Sequence, residues 1–275
     1  MLFIKYYKFF IEINTLIVLY SLIINHIYKE ITMKHFRNYF IFGLVLMFGL
    51  AFVGCDKEKS PTAPTAEKPK SPTIATFTGP NTQSTNTYAL EAKSFSQMFN
   101  GFGAQFSAYA NIPGATQNGN TWTYTYTVQG FTETITTELL GDGSSKWKII
   151  FNGTEPGGSV TFVNWVVMEG TSSADGKSGS LKFYENNSTT LEAEISWTTD
   201  AQGNESGIMK TYTNGVTDNQ IEVVNNIDGT GSMKVSGRKT GTTTLYLIVE
   251  ISWLANGTGS YTSYTEAGVA TTGTF

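Results

Sequence analysis

The sequence predicts a mainly β protein. We expect an antiparallel up-and-down meander of about 11–12 strands forming a barrel or half-barrel, with one N-terminal amphipathic helix packed on it and a two-sheet β-sandwich as the alternative. Three observations lead there. The 275-residue chain is 40% hydrophobic and 13% aromatic but only 15% charged, a balance usual for β-rich exported proteins. From Thr121 onward apolar residues recur every second position. Short Gly/Asp/Asn clusters punctuate those runs at regular intervals.

Taken in order, residues 1–32 contain no Ala, Gly, Pro, Arg or Asp and are crowded with Ile, Leu, Tyr, Phe, Lys and Asn. We read them as a mis-assigned extension upstream of a true start at Met33, with a membrane helix around Ile13 to Ile24 as the rival. From Met33 the run MKHFRNYFIFGLVLMFGLAFVGC has three parts. Lys34 and Arg37 form a positive region, Phe40 to Val53 is apolar and short for a membrane span, and Gly54 precedes Cys55. This resembles the type II signal peptide of bacterial lipoproteins, with Phe52 at the position where Leu is usual. The resemblance implies cleavage of residues 33–54 and acylation of Cys55, which would anchor the mature chain to a membrane through two or three acyl chains. It implies a cell-envelope location, on an outer membrane or cell surface rather than an inner membrane.

Residues 55–86 read as a disordered tether. Five of the seven prolines lie between Pro61 and Pro80, among Thr, Lys, Glu and Ser. Such a composition cannot bury a core. About 30 residues of it reach on the order of 90 Å as polyproline helix and roughly 30 Å as coil. Residues 87–275 are expected to form a single β-rich domain.

That domain opens with the only convincing helical pattern after the signal. Between Tyr88 and Tyr109, the residues Leu90, Phe95, Met98, Phe99, Phe102, Phe106 and Tyr109 recur at three- and four-residue steps, an aromatic stripe for packing on a sheet. Strand patterns follow. Trp122, Tyr124, Tyr126 and Val128 alternate with threonines; Trp147, Ile149 and Phe151 with Lys146 and Lys148; Leu191, Ala193, Ile195 and Trp197 with Glu192 and Glu194. The longest stripe is Leu245, Leu247, Val249, Ile251 and Trp253. An internal echo links Gly179-Ser180-Leu181-Lys182 to Gly231-Ser232-Met233-Lys234, and Glu194-Ile195-Ser196-Trp197 to Glu250-Ile251-Ser252-Trp253. It reads as a duplicated four-strand unit.

Composition also limits the chemistry. His26, His35 and Cys55 are the only imidazoles and thiol, and all precede or sit at the expected cut. A mature chain without them has no side chains for zinc–His/Cys sites or for Ser–His and Cys–His catalysis. Of 18 basic and 22 acidic residues, five and two lie in the first 54, leaving 13 and 20. That acidic balance argues against nucleic acid as a partner. Asp142, Asp175, Asp200 and Asp228 fall in Gly-containing turns but match no calcium-loop spacing, so neither metal nor cofactor is expected. Glu192 and Glu194 have the spacing of paired glycosidase carboxylates, yet they lie opposite Ala193, Ile195 and Trp197 and read as solvated. Phe275 ends the chain as outer-membrane barrels do, but the Lys, Glu and Thr on the outward faces exclude a lipid-facing band.

The sequence therefore points to a non-catalytic, lipid-anchored binding protein. Its expected ligand is an apolar small molecule or lipid, or else a cell-envelope partner. The candidate ligand-lining residues are Phe95, Phe99, Phe102, Phe106, Trp165, Trp197 and Trp253. A structural or adhesive module without a ligand, and a glycan hydrolase using paired carboxylates, are the alternatives.

Overall fold

The computed structural model describes residues 77–80, 83–110, 114–156, 158 and 160–275, with only the backbone for residues 102–110. All belong to one compact unit, Lys59–Phe275. The expected signal peptide, Cys55 and most of the tether lie outside the described residues.

One helix, α1 (Thr87–Ala110), precedes the strands. The strands are β1 (Thr116–Asn118), β2 (Thr121–Val128), β3 (Phe131–Leu139), β4 (Ser145–Thr154) and β5 (Thr161–Ser172). They continue with β6 (Ser178–Tyr184), β7 (Leu191–Thr199), β8 (Glu205–Thr213) and β9 (Val216–Asn225). The last four are β10 (Gly231–Arg238), β11 (Leu245–Trp253), β12 (Gly259–Tyr264) and β13 (Ala270–Thr274). All join one 13-stranded sheet in sequence order, and each neighbouring pair is antiparallel. The meander is as expected, but the hydrogen-bonded ladder does not close: among the described residues β1 and β13 each have a neighbour on one side only. The sheet is also single, not two stacked ones.

Alternation sorts the strands into two faces. The inner face carries Trp147, Ile149 and Phe151 of β4, Ala193, Ile195 and Trp197 of β7, Met233 and Val235 of β10, and Val249, Ile251 and Trp253 of β11, all buried. Register shifts on β4 opposite β5 interrupt the alternation there. They let Val167 and Met168 both be buried while Val163 stays exposed. Phe131, Phe151, Phe162 and Trp165 pack there as an aromatic cluster, with Phe162 and Trp165 stacked at 5.1 Å.

Helix α1 starts at an Asn86 cap, whose Oδ1 accepts the Tyr88 amide at 3.0 Å. Of the expected stripe, Phe99 is buried, and the side chains of Phe102, Phe106 and Tyr109 lie outside the described residues. Ala89, Ala92, Ser96 and Phe99 are buried, whereas Leu90 is 38% exposed and Phe95 and Met98 are half-buried. Phe99 and Phe77 lie against Gly207 of β8, with ring atoms about 3 Å from where a Cβ would stand. Tyr88 meets Tyr261 of β12 at 4.2 Å. Phe77 to Pro80, which precede the helix, are packed with it: Asn100 brackets Phe77 by accepting from its amide and donating to its carbonyl, both at 2.8 Å.

The internal echo is an echo of pairing. In the β6–β7 hairpin, Gly179 faces Trp197, Ser180 faces Ser196, Leu181 faces Ile195 and Lys182 faces Glu194. In β10–β11, Gly231 faces Trp253, Ser232 faces Ser252, Met233 faces Ile251 and Lys234 faces Glu250, in the same register. Each indole covers the glycine opposite, and a Cβ at Gly179 or Gly231 would overlap the ring. The matching residues are thus one structural device used twice, a Trp lying over a cross-strand Gly.

Candidate functional site

The outer face is polar and its charges alternate in sign across strands. Lys148 of β4 faces Glu169 of β5, which faces Lys182 of β6, then Glu194 of β7, then Lys210 of β8. A second row runs from Glu222 through Lys234 to Glu250. Opposite charges placed directly across strands favour this register over a slipped one. Two tyrosines take up carboxylates of the first row. The Tyr184 hydroxyl donates to Glu169, and the Tyr212 hydroxyl donates to Glu194 at 3.1 Å. Partial burial, with the neighbouring carboxylates, pushes both phenols up to about 12, so each stays a neutral donor.

Over β2 to β6 this face holds an open groove of about 500 Å³. Lys146, Lys148 and Lys182 line it together with Glu138 and Glu169, and hydroxyls come from Thr121, Thr136, Thr171 and Ser180. Trp147 and Gly170, a cross-strand pair, also border it. Among the described residues the ion pairs are Lys234 with Glu250 and Arg238 with Asp218, at 3.1 and 3.0 Å. The three groove lysines are in neither, although Glu138 faces Lys146 and Glu169 faces Lys148.

The aromatic residues singled out from sequence lie elsewhere. Phe99, Trp165, Trp197 and Trp253 are 0, 3, 1 and 2% exposed in the core. Phe99 packs on Phe77, Trp165 on Phe162, and the two indoles cover Gly179 and Gly231. Phe95 is half-buried on α1. The side chains of Phe102 and Phe106 lie outside the described residues. The structure therefore brings Trp165 into the Phe131–Phe151–Phe162 cluster but leaves Trp197 and Trp253 on separate hairpins.

The turn aspartates serve their own turns. Asp142, Asp175 and Asp228 each accept the amide two residues on, at 2.9–3.0 Å. Asp200 accepts from Gln202 and Asn204 in the same way. Hydrogen bonds from Ser144, Ser173, Asn204 and Thr230 hold the four carboxyls below their usual range. Glu194 sits between Lys182 and Lys210, and Glu250 between Lys234 and Thr262, so their repetition follows from strand pairing. Glu192 is half-exposed near the start of β7.

One carboxylate on the inner face was not singled out from sequence. Glu133 of β3 is 7% exposed, and its Oε1 has no hydrogen-bond partner. Burial pushes its carboxyl up to about 7. Its signal was the odd-numbered parity it shares with Phe131 and Ile135, which places it among inward positions. Lys146 and Lys148 were visible as the polar alternates of Trp147 and Ile149, but their convergence with Lys182 required the strand order. Comparison with protein-family models and with curated proteins finds no match for this chain.

Proposed function

We propose that the chain is an exported lipoprotein, anchored through Cys55, whose β domain is a non-catalytic module that binds a cell-envelope partner. The anchor rests on the Gly54-Cys55 junction after the apolar run that ends at Val53. The shape we propose is a half-barrel curled around α1. It is supported by the reach of that one helix across the inner face, from Gly207 of β8 to Tyr261 of β12.

The observation that carries the choice of ligand is the location of the groove. Four of the candidate aromatics are filled in as core, whereas the groove of about 500 Å³ on the solvent face is lined by charges and hydroxyls. A polar groove suits a hydrophilic partner better than an apolar one. We therefore favour the envelope partner over the apolar small molecule or lipid. The test is co-sedimentation of the detergent-solubilised full chain with isolated, delipidated cell envelopes, run beside native mass spectrometry. Saturable co-sedimentation, with no bound lipid beyond the acyl groups on Cys55, is the expected result. A stoichiometric co-purifying lipid with no envelope binding would restore the apolar-carrier reading.

A further inference from the structure

We infer that the groove over β2 to β6 is a binding site for an acidic oligosaccharide, a sugar chain carrying carboxylates. This rests on the envelope-binding reading and specifies the chemistry of its ligand. The groove lysines lie outside the ion pairs of the described residues. Lys182 lies in register between Glu169 and Glu194, and Lys148 lies next to Glu169. Such neighbours would ordinarily pair. Here Tyr184 donates to Glu169 and Tyr212 to Glu194, and none of the groove lysines belongs to either ion pair of the described residues. Each phenol takes one carboxylate oxygen and so competes with the lysines for that carboxylate.

Spacing and composition select the ligand. Lys148 and Lys182 are two strands apart, roughly 10 Å, while Lys146 and Lys148 are two residues apart on one strand, roughly 7 Å. That separation suits anionic groups spread along a chain better than one compact phosphate. Glu138 and Glu169 in the same groove repel a densely charged polyanion, and the chain as a whole carries a formal net charge of −4. What remains complementary is a ligand with sparse negative charge and many hydroxyls. Its carboxylates would meet the lysines, and its hydroxyls would meet the Thr and Ser hydroxyls and the glutamates.

Tyr184 is then a positioning residue, because it keeps Glu169 off the lysines. The experiment is isothermal titration of the detergent-solubilised full chain with trigalacturonate, with neutral maltotriose and poly-glutamate as controls. Saturable heat is expected with trigalacturonate alone. Lys148→Ala combined with Lys182→Ala is expected to weaken binding by about tenfold or more. Tyr184→Phe is expected to weaken it several-fold by freeing Glu169 to pair, and Tyr184→Phe combined with Glu169→Gln to restore it. A purely structural tyrosine would not show that rescue. Absence of trigalacturonate binding, equal binding of poly-glutamate, or indifference to the lysine variants would each overturn the inference. Co-sedimentation of the double-lysine variant with envelopes separates the two readings. If wild type and variant sediment equally, the groove fails while envelope binding stands. If neither sediments, the envelope reading fails.

Discussion

Glu133 shows how a single side chain couples stability to pH. It sits on the inner face between Phe131 and Ile135, where desolvation penalises its charged form. Its carboxyl is raised from 4.5 to about 7, so folding favours the protonated acid. The stabilising contribution is therefore complete below about pH 4.5 and is lost as pH rises toward 7, a swing of about 3 kcal/mol. Glu91 on α1 is shifted the same way by burial, also to about 7. The turn aspartates act in the opposite direction, since their carboxyls are held low and their contribution is lost only as pH falls below the usual carboxylate range. Together these trends put the stability optimum on the acid side of neutrality. Glu133→Gln is expected to raise the melting temperature at pH 8, change it little at pH 4, and flatten the dependence between. Thermal unfolding followed by tryptophan fluorescence across that range checks this, and an unchanged profile would show that Glu133 stays ionised in the fold.

Elements were legible in the sequence where one property repeats locally. The period-two stripes of β4, β7 and β11 place Trp147, Trp197 and Trp253 inward, as the fold does. Helix α1 was legible in extent. Its aromatic stripe is conspicuous, yet among its described side chains Ala89, Ala92 and Ser96 are buried beside Phe99; Ser96 lies against Gly79, and it is the Phe99 ring, with Phe77, that lies on Gly207. Hydrophobicity ranks side chains by size and cannot see that a glycine waits on the other side. The short strand β1 and the Thr-rich β13 were hidden for a related reason, having no apolar alternate to mark them. The groove was hidden because it depends on which strand follows which, and no local pattern encodes that Lys148, Glu169 and Lys182 become neighbours. The repeated hairpin was visible as matching letters, and its meaning follows from packing. Gly231→Ala would drive a methyl into the Trp253 ring and the β9 backbone. We expect a loss of about 1–3 kcal/mol, measured by urea unfolding. Gly241→Ala, at an open turn with φ 72°, should cost less because only the backbone is strained. An equal cost at both positions would remove the indole-over-glycine contact as the cause.

For the molecule as a whole, the unclosed meander leaves two edges that no strand of the described residues pairs. The β1 edge is only three residues long. The β13 edge, Ala270–Thr274, is longer, carries no charge and is largely exposed. Phe275 and Gly259 exchange both backbone hydrogen bonds, at 3.0 Å, so alternation along the ladder turns the N–H and C=O groups of Thr274, Thr272 and Ala270 toward the open side. Such an edge is a template for another strand, and neither lysine nor proline guards it. Antiparallel pairing of β13 with β13 of a second copy would satisfy those groups without bringing like charges together. The charged rows of the outer face lie on β4 to β11 and stay clear of that contact. Reversible association that grows with concentration is therefore expected in sedimentation velocity. Thr272→Lys places a charge opposite itself in the symmetric pair and should shift the chain to monomer. The melting temperature of the monomer should hardly change, because Thr272 is exposed. Association that persists unchanged in this variant would move the self-contact away from β13. The groove over β2 to β6 lies far along the strand order from this edge, so acidic-saccharide binding should be the same in the monomeric variant as in the parent chain.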